Sequence, residues 1–169
     1  MLIYFLGYIG AGKSKWGRRV ADKLNYNFVD TREMMIQKSG LSFYELLQNR
    51  EQYIRLEQQA LREVSRMQNT VIAVSEMLPC RADNMGVMNG TGITFYLRAG
   101  AGCIMMRISK KLHEIPMLKG IDNDFIPDFI KMELSNRTPH YEKAKINELE
   151  RELNIDKVMS LITPYLNNH

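Results

Sequence analysis

GYIGAGKSKWGRRVADKL, residues 7–24, stands directly behind LIYFL, residues 2–6. Those consecutive apolar residues, aromatic and branched, predict a strand buried on both faces, and Gly7 ends it. From Lys13 onward, Trp16, Val20, Ala21 and Leu24 fall on one face of a helix. Between strand and helix lies the pattern G-x-x-x-x-G-K-[ST], filled by Gly7, Gly12, Lys13 and Ser14. That context gives the pattern its physical meaning, a loop that cradles phosphate. Gly7, Gly10 and Gly12 permit backbone conformations that other residues resist, so the chain can approach phosphate oxygens closely. The amides of Gly10, Ala11, Gly12, Lys13, Ser14 and Lys15 are expected to converge on one anion-binding hollow at the positive end of the helix. Lys13 is expected to reach the β- and γ-phosphates. Ser14 is expected to offer its hydroxyl to Mg²⁺, which keeps most of its waters.

Moving outward, FVD (28–30), TVIAV (70–74) and GITFYL (92–97) predict further strands, and AKIN (144–147) a weak fifth. REMMIQKS predicts a short helix stopped by Gly40. Residues 42–67 predict one long helical stretch or two, opened by a capping box between Ser42 and Glu45. Helices are also expected at about 102–109, over DFIPDFIKMELSNR and near IDKVMSLITPYL. Strands alternating with helices imply an α/β fold with a parallel sheet covered on both faces. Right-handed crossovers place the strand C-termini along one edge, where ligands bind.

The 169 residues suit one compact domain, 1–169. No apolar run approaches a membrane span, and MLIYFL is too short for the core of a signal peptide, so a cytoplasmic protein is expected. Net charge is +4, which fits a polyanionic ligand. The basic residues are scattered and not interleaved with aromatics, so no nucleic-acid partner is expected. Cys80 and Cys103 predict buried thiols without a metal or disulfide role. His113 and His140 are expected to be exposed, and His169 is terminal. The methionines of CIMMR and REMMI predict core filler, NELEREL (147–153) a solvated helical face, and Trp16 a core position.

Across nearly its whole length the chain resembles the shikimate kinase family. The matching stretches are GAGKS, GRRVADKL, FVDTRE, the turn at Gly40, YIRLE, VIAV, FYLR, IPMLKG and NRTPHY. The resemblance implies a three-layer P-loop kinase fold, a five-stranded parallel sheet flanked by helices, with a lid at about 110–122. It implies ATP and Mg²⁺, and transfer of the γ-phosphate to a hydroxyl of a small metabolite, shikimate in the family. A monomer is expected. Asp30, beside the loop, is expected to act on Mg²⁺ through its waters. Arg107 matches an arginine that packs on adenine. Arg137, before Pro139 and Tyr141, matches the arginine that orients the acceptor.

Where the chain departs from the family pattern, the departures converge on the acceptor. The second acid of D-x-D is Arg32, and the arginine of F-R-x-x-E is Ile54, with Arg55 one step away. The triple glycine after the third strand is Ser75, Glu76 and Met77, and the lid arginine is Ile115. Ile54 removes a bidentate partner for a carboxylate. Loss of the lid arginine removes charge stabilisation of a kind worth roughly 10³ in rate. Arg55 would have to compensate from a helix position turned by about 100°. Two readings of Arg32 and Glu76 stay open. They form a new acceptor site, Arg32 binding an anionic group and Glu76 ordering a Mg²⁺ water or accepting a proton. Or they are a salt bridge or solvated charges. The leading expectation is an ATP-dependent kinase using Lys13, Asp30 and Arg137; the alternative is a catalytically degenerate ATP/ADP-binding protein.

Overall fold

A computed structural model describes residues 1–167, apart from the side chain of His113. The expectations for His113 and His169 lie outside the described residues. Five strands form one sheet: β1 (Leu2–Leu6), β2 (Asn27–Asp30), β3 (Thr70–Ala73), β4 (Ile93–Arg98) and β5 (Ile146–Leu149). Their order is β2-β3-β1-β4-β5, and every pair is parallel. The helices are α1 (Lys13–Leu24), α2 (Thr31–Ser39), α3 (Phe43–Gln48), α4 (Arg50–Val64), α5 (Asn84–Thr91), α6 (Ala101–Ile108), α7 (Ile126–Tyr141) and α8 (Ile155–Leu166).

The central strand shows why the sheet needs both covering layers. Every residue of β1 is buried, and alternate side chains leave on opposite faces. Ile3 and Phe5 pack with Trp16 and Val20 of α1 and Val158 and Ile162 of α8. Leu2, Tyr4 and Leu6 pack with Leu61 and Val64 of α4 and Met88 of α5. Each such side chain contributes roughly 1.5–3 kcal/mol on burial. Helix α1 lies close on β2, since a Cβ at Gly17 would stand 2.6 Å from the Phe28 ring. The register Asp30↔Ala73 ends β2 and β3 level with each other, so the chain after both opens onto the same edge.

Several boundaries differ from the sequence reading for local reasons. Residues 43–64 are two helices, because Asn49 (φ −110°, ψ 84°) breaks the first and caps the second through its side chain. The capping box of Ser42 and Glu45 is present. Helix α5 was not expected; Gly86 and Gly90 lie within it and it has no regular apolar stripe. The NELEREL stretch is no solvated helix: its start is β5, and the turn after it buries Glu150. Cys80 and Cys103 are half-buried rather than buried, His140 is half-buried rather than exposed, and Met106 is 73% exposed rather than core. Residues 109–125 form short 3₁₀ turns, and the one at Pro116–Leu118 packs against α3.

Candidate active site

The edge where β1, β2 and β3 end carries a cleft of about 260 Å³. The loop between β1 and α1 forms its floor, with Gly10 (φ 75°) and Gly12 (φ 89°) in the left-handed region that only glycine enters freely. Gly12 is also the residue that caps α1, so the helix begins with no side chain covering its free amides. Ile9, Lys13, Ser14, Lys15, Asp30, Arg32, Val74, Ser75 and Glu76 complete the lining. Ala11 is wholly buried beneath the loop, and Lys15 is exposed at its rim.

On the loop side, Lys13 is buried and its ammonium donates to the carbonyls of Gly7 (2.9 Å) and Tyr8 (3.2 Å). Its third partner is Glu76 Oε1, at 2.9 Å. The Ser14 hydroxyl donates to Asp30 Oδ2 at 2.7 Å. The other Asp30 oxygen accepts the Arg32 amide at 3.0 Å and caps α2. A hydroxyl and a carboxylate so paired are hard oxygen donors beside an anion hollow, and they fit Mg²⁺.

The opposite wall is built from charges. Glu76 is buried, and Arg32 also donates to its Oε1. Burial by itself disfavours the Glu76 carboxylate; the Arg32 guanidinium and the Lys13 ammonium outweigh it and hold its pKa well below the usual carboxylate range. Arg32 lies over the Phe43 ring at 4.6 Å, and its Nε is buried without a partner. Arg137 is 6% exposed, pairs with Glu133 one turn earlier on α7, and stacks at 5.0 Å over the ring of Tyr8 in the loop. Its Nη1 is also buried without a partner. The Tyr141 hydroxyl donates to the Glu76 carbonyl at 2.7 Å, tying α7 to this wall.

Farther back, Glu57 is wholly buried and accepts from Ser75 Oγ (2.7 Å), Arg81 Nε (2.7 Å) and the Tyr53 hydroxyl (3.1 Å). Arg55, one of the arginines expected at the acceptor, does not join this group. It is exposed and lines a separate hollow with Asn49, Glu51 and Gln52. Ile115 is 7% exposed and belongs to the core with Ile108 and Leu118.

A second feature behind the loop escaped the sequence reading. Glu150 accepts from Trp16 Nε1 at 3.0 Å and pairs with Arg107, whose Nη1 donates to the Gly10 carbonyl at 3.0 Å. Burial disfavours the Glu150 carboxylate, but the bonds from Arg107 and Trp16 prevail and lower its pKa. In the sequence Glu150 sits among ERE with nothing to distinguish it from exposed acids. Only the spacing of β5 against the loop makes it the partner of Trp16 and Arg107.

This fold recurs in known proteins. A family model described as shikimate kinase matches residues 9–167. The chain belongs to the shikimate kinase family. A shikimate kinase of Bacteroides thetaiotaomicron is 34% identical over 145 residues, 85% of this chain and 83% of the relative. One from Bacteroides fragilis is 30% identical over 173 residues, covering 99% and 97%. The crystal structure of shikimate kinase from Bacteroides thetaiotaomicron superposes with a TM-score of 0.90 at 30% identity, over 96% of this chain and 98% of that one. Shikimate kinase from Acinetobacter baumannii, in complex with shikimate, has the same fold, with a TM-score of 0.85 at 23% identity, over 99% and 93% of the two chains. The three-layer P-loop kinase fold expected from the sequence is the fold observed. Among the described residues, no helix is long and apolar enough to cross a membrane.

Proposed function

We propose that this member of the shikimate kinase family transfers the γ-phosphate of ATP to a hydroxyl of a small polyhydroxylated metabolite. The observation that carries the reading is the loop with its paired Ser14 and Asp30, beside a buried lysine, at the sheet edge. The loop amides and Lys13 hold the nucleotide phosphates. Ser14 and Asp30 would hold Mg²⁺, and the ion would neutralise phosphate charge. Arg107 and Lys15 line the nucleotide side. Arg137 orients the acceptor, with Arg32 as a second cation on the same wall. Residues 110–122 act as a lid, and the packing of Pro116–Leu118 on α3 supports a closed position over the acceptor side. The whole chain works as one domain.

Shikimate is the first acceptor to test, because relatives of this chain carry that name. Calorimetric titration with ATP and Mg²⁺, followed by ADP release with and without shikimate, tests the reading. Saturable ATP binding with acceptor-stimulated ADP release is the expected result. ATP binding without release above background would turn the reading into the alternative, a nucleotide-binding protein that no longer transfers phosphate. One observation favours that alternative: Ile115, at a position where the family pattern has an arginine, is packed into the core.

A further inference from the structure

Two carboxylates line the cleft, and the structure employs them differently. Asp30 is committed to the Ser14 hydroxyl and to the cap of α2. Glu76 enters from the far wall, past the end of β3, and its Oε1 is held by both Lys13 and Arg32. It is therefore an internal anion on the very ammonium that a nucleotide phosphate needs. Lys13 keeps its two carbonyl anchors at Gly7 and Tyr8, so its nitrogen can exchange anions without leaving the loop. A phosphate oxygen that takes over Lys13 leaves Glu76 with Arg32 alone, and with one cation fewer the carboxylate becomes a better proton acceptor.

Its backbone is fixed for that task. The carbonyl of Glu76 accepts from Tyr141, on the same helix as Arg137, so carboxylate and arginine keep a common frame. Around it, Arg32 Nε and Arg137 Nη1 are buried donors without a protein partner. A buried N–H left unbonded is costly, and an oxygen-rich ligand would satisfy both. Arg32 and Glu76 line the cleft together, a cation beside a carboxylate, which suits a polyol bearing hydroxyls or a carboxylate.

Resting on the kinase reading above, we propose that Glu76 is a catalytic carboxylate: freed from Lys13 by the nucleotide, it takes the proton of the acceptor hydroxyl. The acceptor oxygen forms the new bond to the γ-phosphorus. The bond from that phosphorus to the β,γ-bridging oxygen breaks, and its electron pair leaves with ADP. The hydroxyl proton ends on Glu76 and passes to solvent when product departs.

The test uses the full chain as wild type, Glu76→Gln and Glu76→Asp, with ATP affinity read by calorimetry. Turnover is read as ADP release with shikimate and with water as acceptors. Glu76→Gln is expected to bind ATP at least as tightly as wild type, because a competitor for Lys13 is gone, while ADP release falls by roughly 10² or more. Glu76→Asp retains the ion pair and is expected to keep most of the ATP affinity and a measurable part of the turnover. A merely structural glutamate would lose both quantities together, and that outcome overturns the proposal. Turnover in Glu76→Gln within threefold of an active wild type overturns it too and leaves the kinase reading standing. A wild type that binds ATP and releases no ADP overturns both.

Discussion

On the loop side of the cleft, backbone conformation shapes the surface, with Gly10 and Gly12 in the left-handed region. The Ala11 amide, expected to face the anion hollow, is instead taken by the Tyr8 carbonyl at 3.1 Å, and Lys13 and Ser14 are held at fixed points by Gly7, Tyr8 and Asp30. On the opposite wall, nearly every contact joins two side chains: Arg32 and Lys13 with Glu76, Arg81 with Glu57, Arg137 with Glu133. A backbone cradle survives sequence change so long as its glycines remain. A side-chain wall can be rebuilt one pair at a time, since each new charge needs only a new partner. Here the wall has Arg32 and Glu76 where the family pattern has other residues, and these two charges are paired. Glu57 forms another such pair. Its neighbour three positions back is Ile54, and Arg81 from beyond β3 supplies its cation.

The contrast breaks most sharply at Glu57. Glu57→Ala leaves Arg81 half-buried without its anion and strips partners from Ser75 and Tyr53. A loss of about 3–5 kcal/mol in unfolding free energy by urea titration is expected, as for other broken buried pairs. ATP affinity of the folded variant should stay near that of wild type, because the loop does not touch Glu57. The two buried glutamates should also differ in pH dependence. Burial raises the Glu57 pKa despite Ser75 and Arg81. Its folded value thus exceeds its unfolded value. Its linked stability is full below the ordinary carboxylate pKa of about 4.3 and is lost as pH rises through the raised value. Glu76 has the opposite sign: full above that range, lost as pH falls below it. Wild-type stability relative to Glu57→Gln should decline from pH 4 toward 7, and relative to Glu76→Gln should decline on acidification. Matching slopes would mean that the two buried glutamates do not differ as described.

Lys13→Ala tests the other half. It removes the ammonium and leaves Glu76 with Arg32 alone. ATP affinity should fall by roughly 100-fold, in the range found when one partner of a buried charged contact is truncated. Unchanged calorimetric affinity would remove the loop from the nucleotide site altogether. Asp30→Asn is expected to act less strongly. It keeps the shape of the α2 cap but weakens the acceptor for the Ser14 hydroxyl. The Mg²⁺ concentration at half-maximal ADP release should rise about 10–100-fold, the usual effect of losing a group that orients a metal ligand. A Mg²⁺ titration with unaltered midpoint would count against the pairing.

What could be read in advance follows the same division. The strand, loop and first helix were legible because β1 is continuously apolar, the glycines fall at the turn, and α1 has a clean apolar face. Asp30 beside the loop was legible from the family resemblance, and its bond from the Ser14 hydroxyl agrees with it. On the far wall the Arg32–Glu76 salt bridge was one of two readings the sequence left open, and it is present; the pairings of Glu76 with Lys13 and of Glu57 with Arg81 were not legible. Arg32 and Glu76 are 44 residues apart, and Glu57 and Arg81 are 24 apart. Which cation meets which acid depends on side-chain reach across two strand ends, and no periodicity encodes it. Arg55 makes the point from the other direction: one helix position from Ile54, it is turned out to solvent. Glu150 was hidden for a third reason. Its stretch has the composition of an exposed helix, but the strand ends at Leu149 and turns its glutamate under the loop.

That glutamate gives the smallest expected effect. Through Trp16 and Arg107 it connects β5 to the Gly10 carbonyl, so it braces the loop from behind without lining the cleft. Glu150→Gln keeps a side chain of the same size and retains one oxygen, which can still accept from Trp16. What it loses is the charge on Arg107. A hydrogen bond to a charged group is worth about 1.5–3 kcal/mol when sheltered, but the Arg107 side chain is 32% exposed and solvent screens its share. The net loss should be near 1 kcal/mol, about a fivefold rise in KM for ATP. Because Glu150 is far from the acceptor wall, kcat should hold. Trp16 is the sole tryptophan, so its emission should shift on the same substitution without any ligand present. A fall in kcat at constant KM would show that the brace acts on transfer rather than on nucleotide binding, and the separation between the two walls of the cleft would not extend behind the loop.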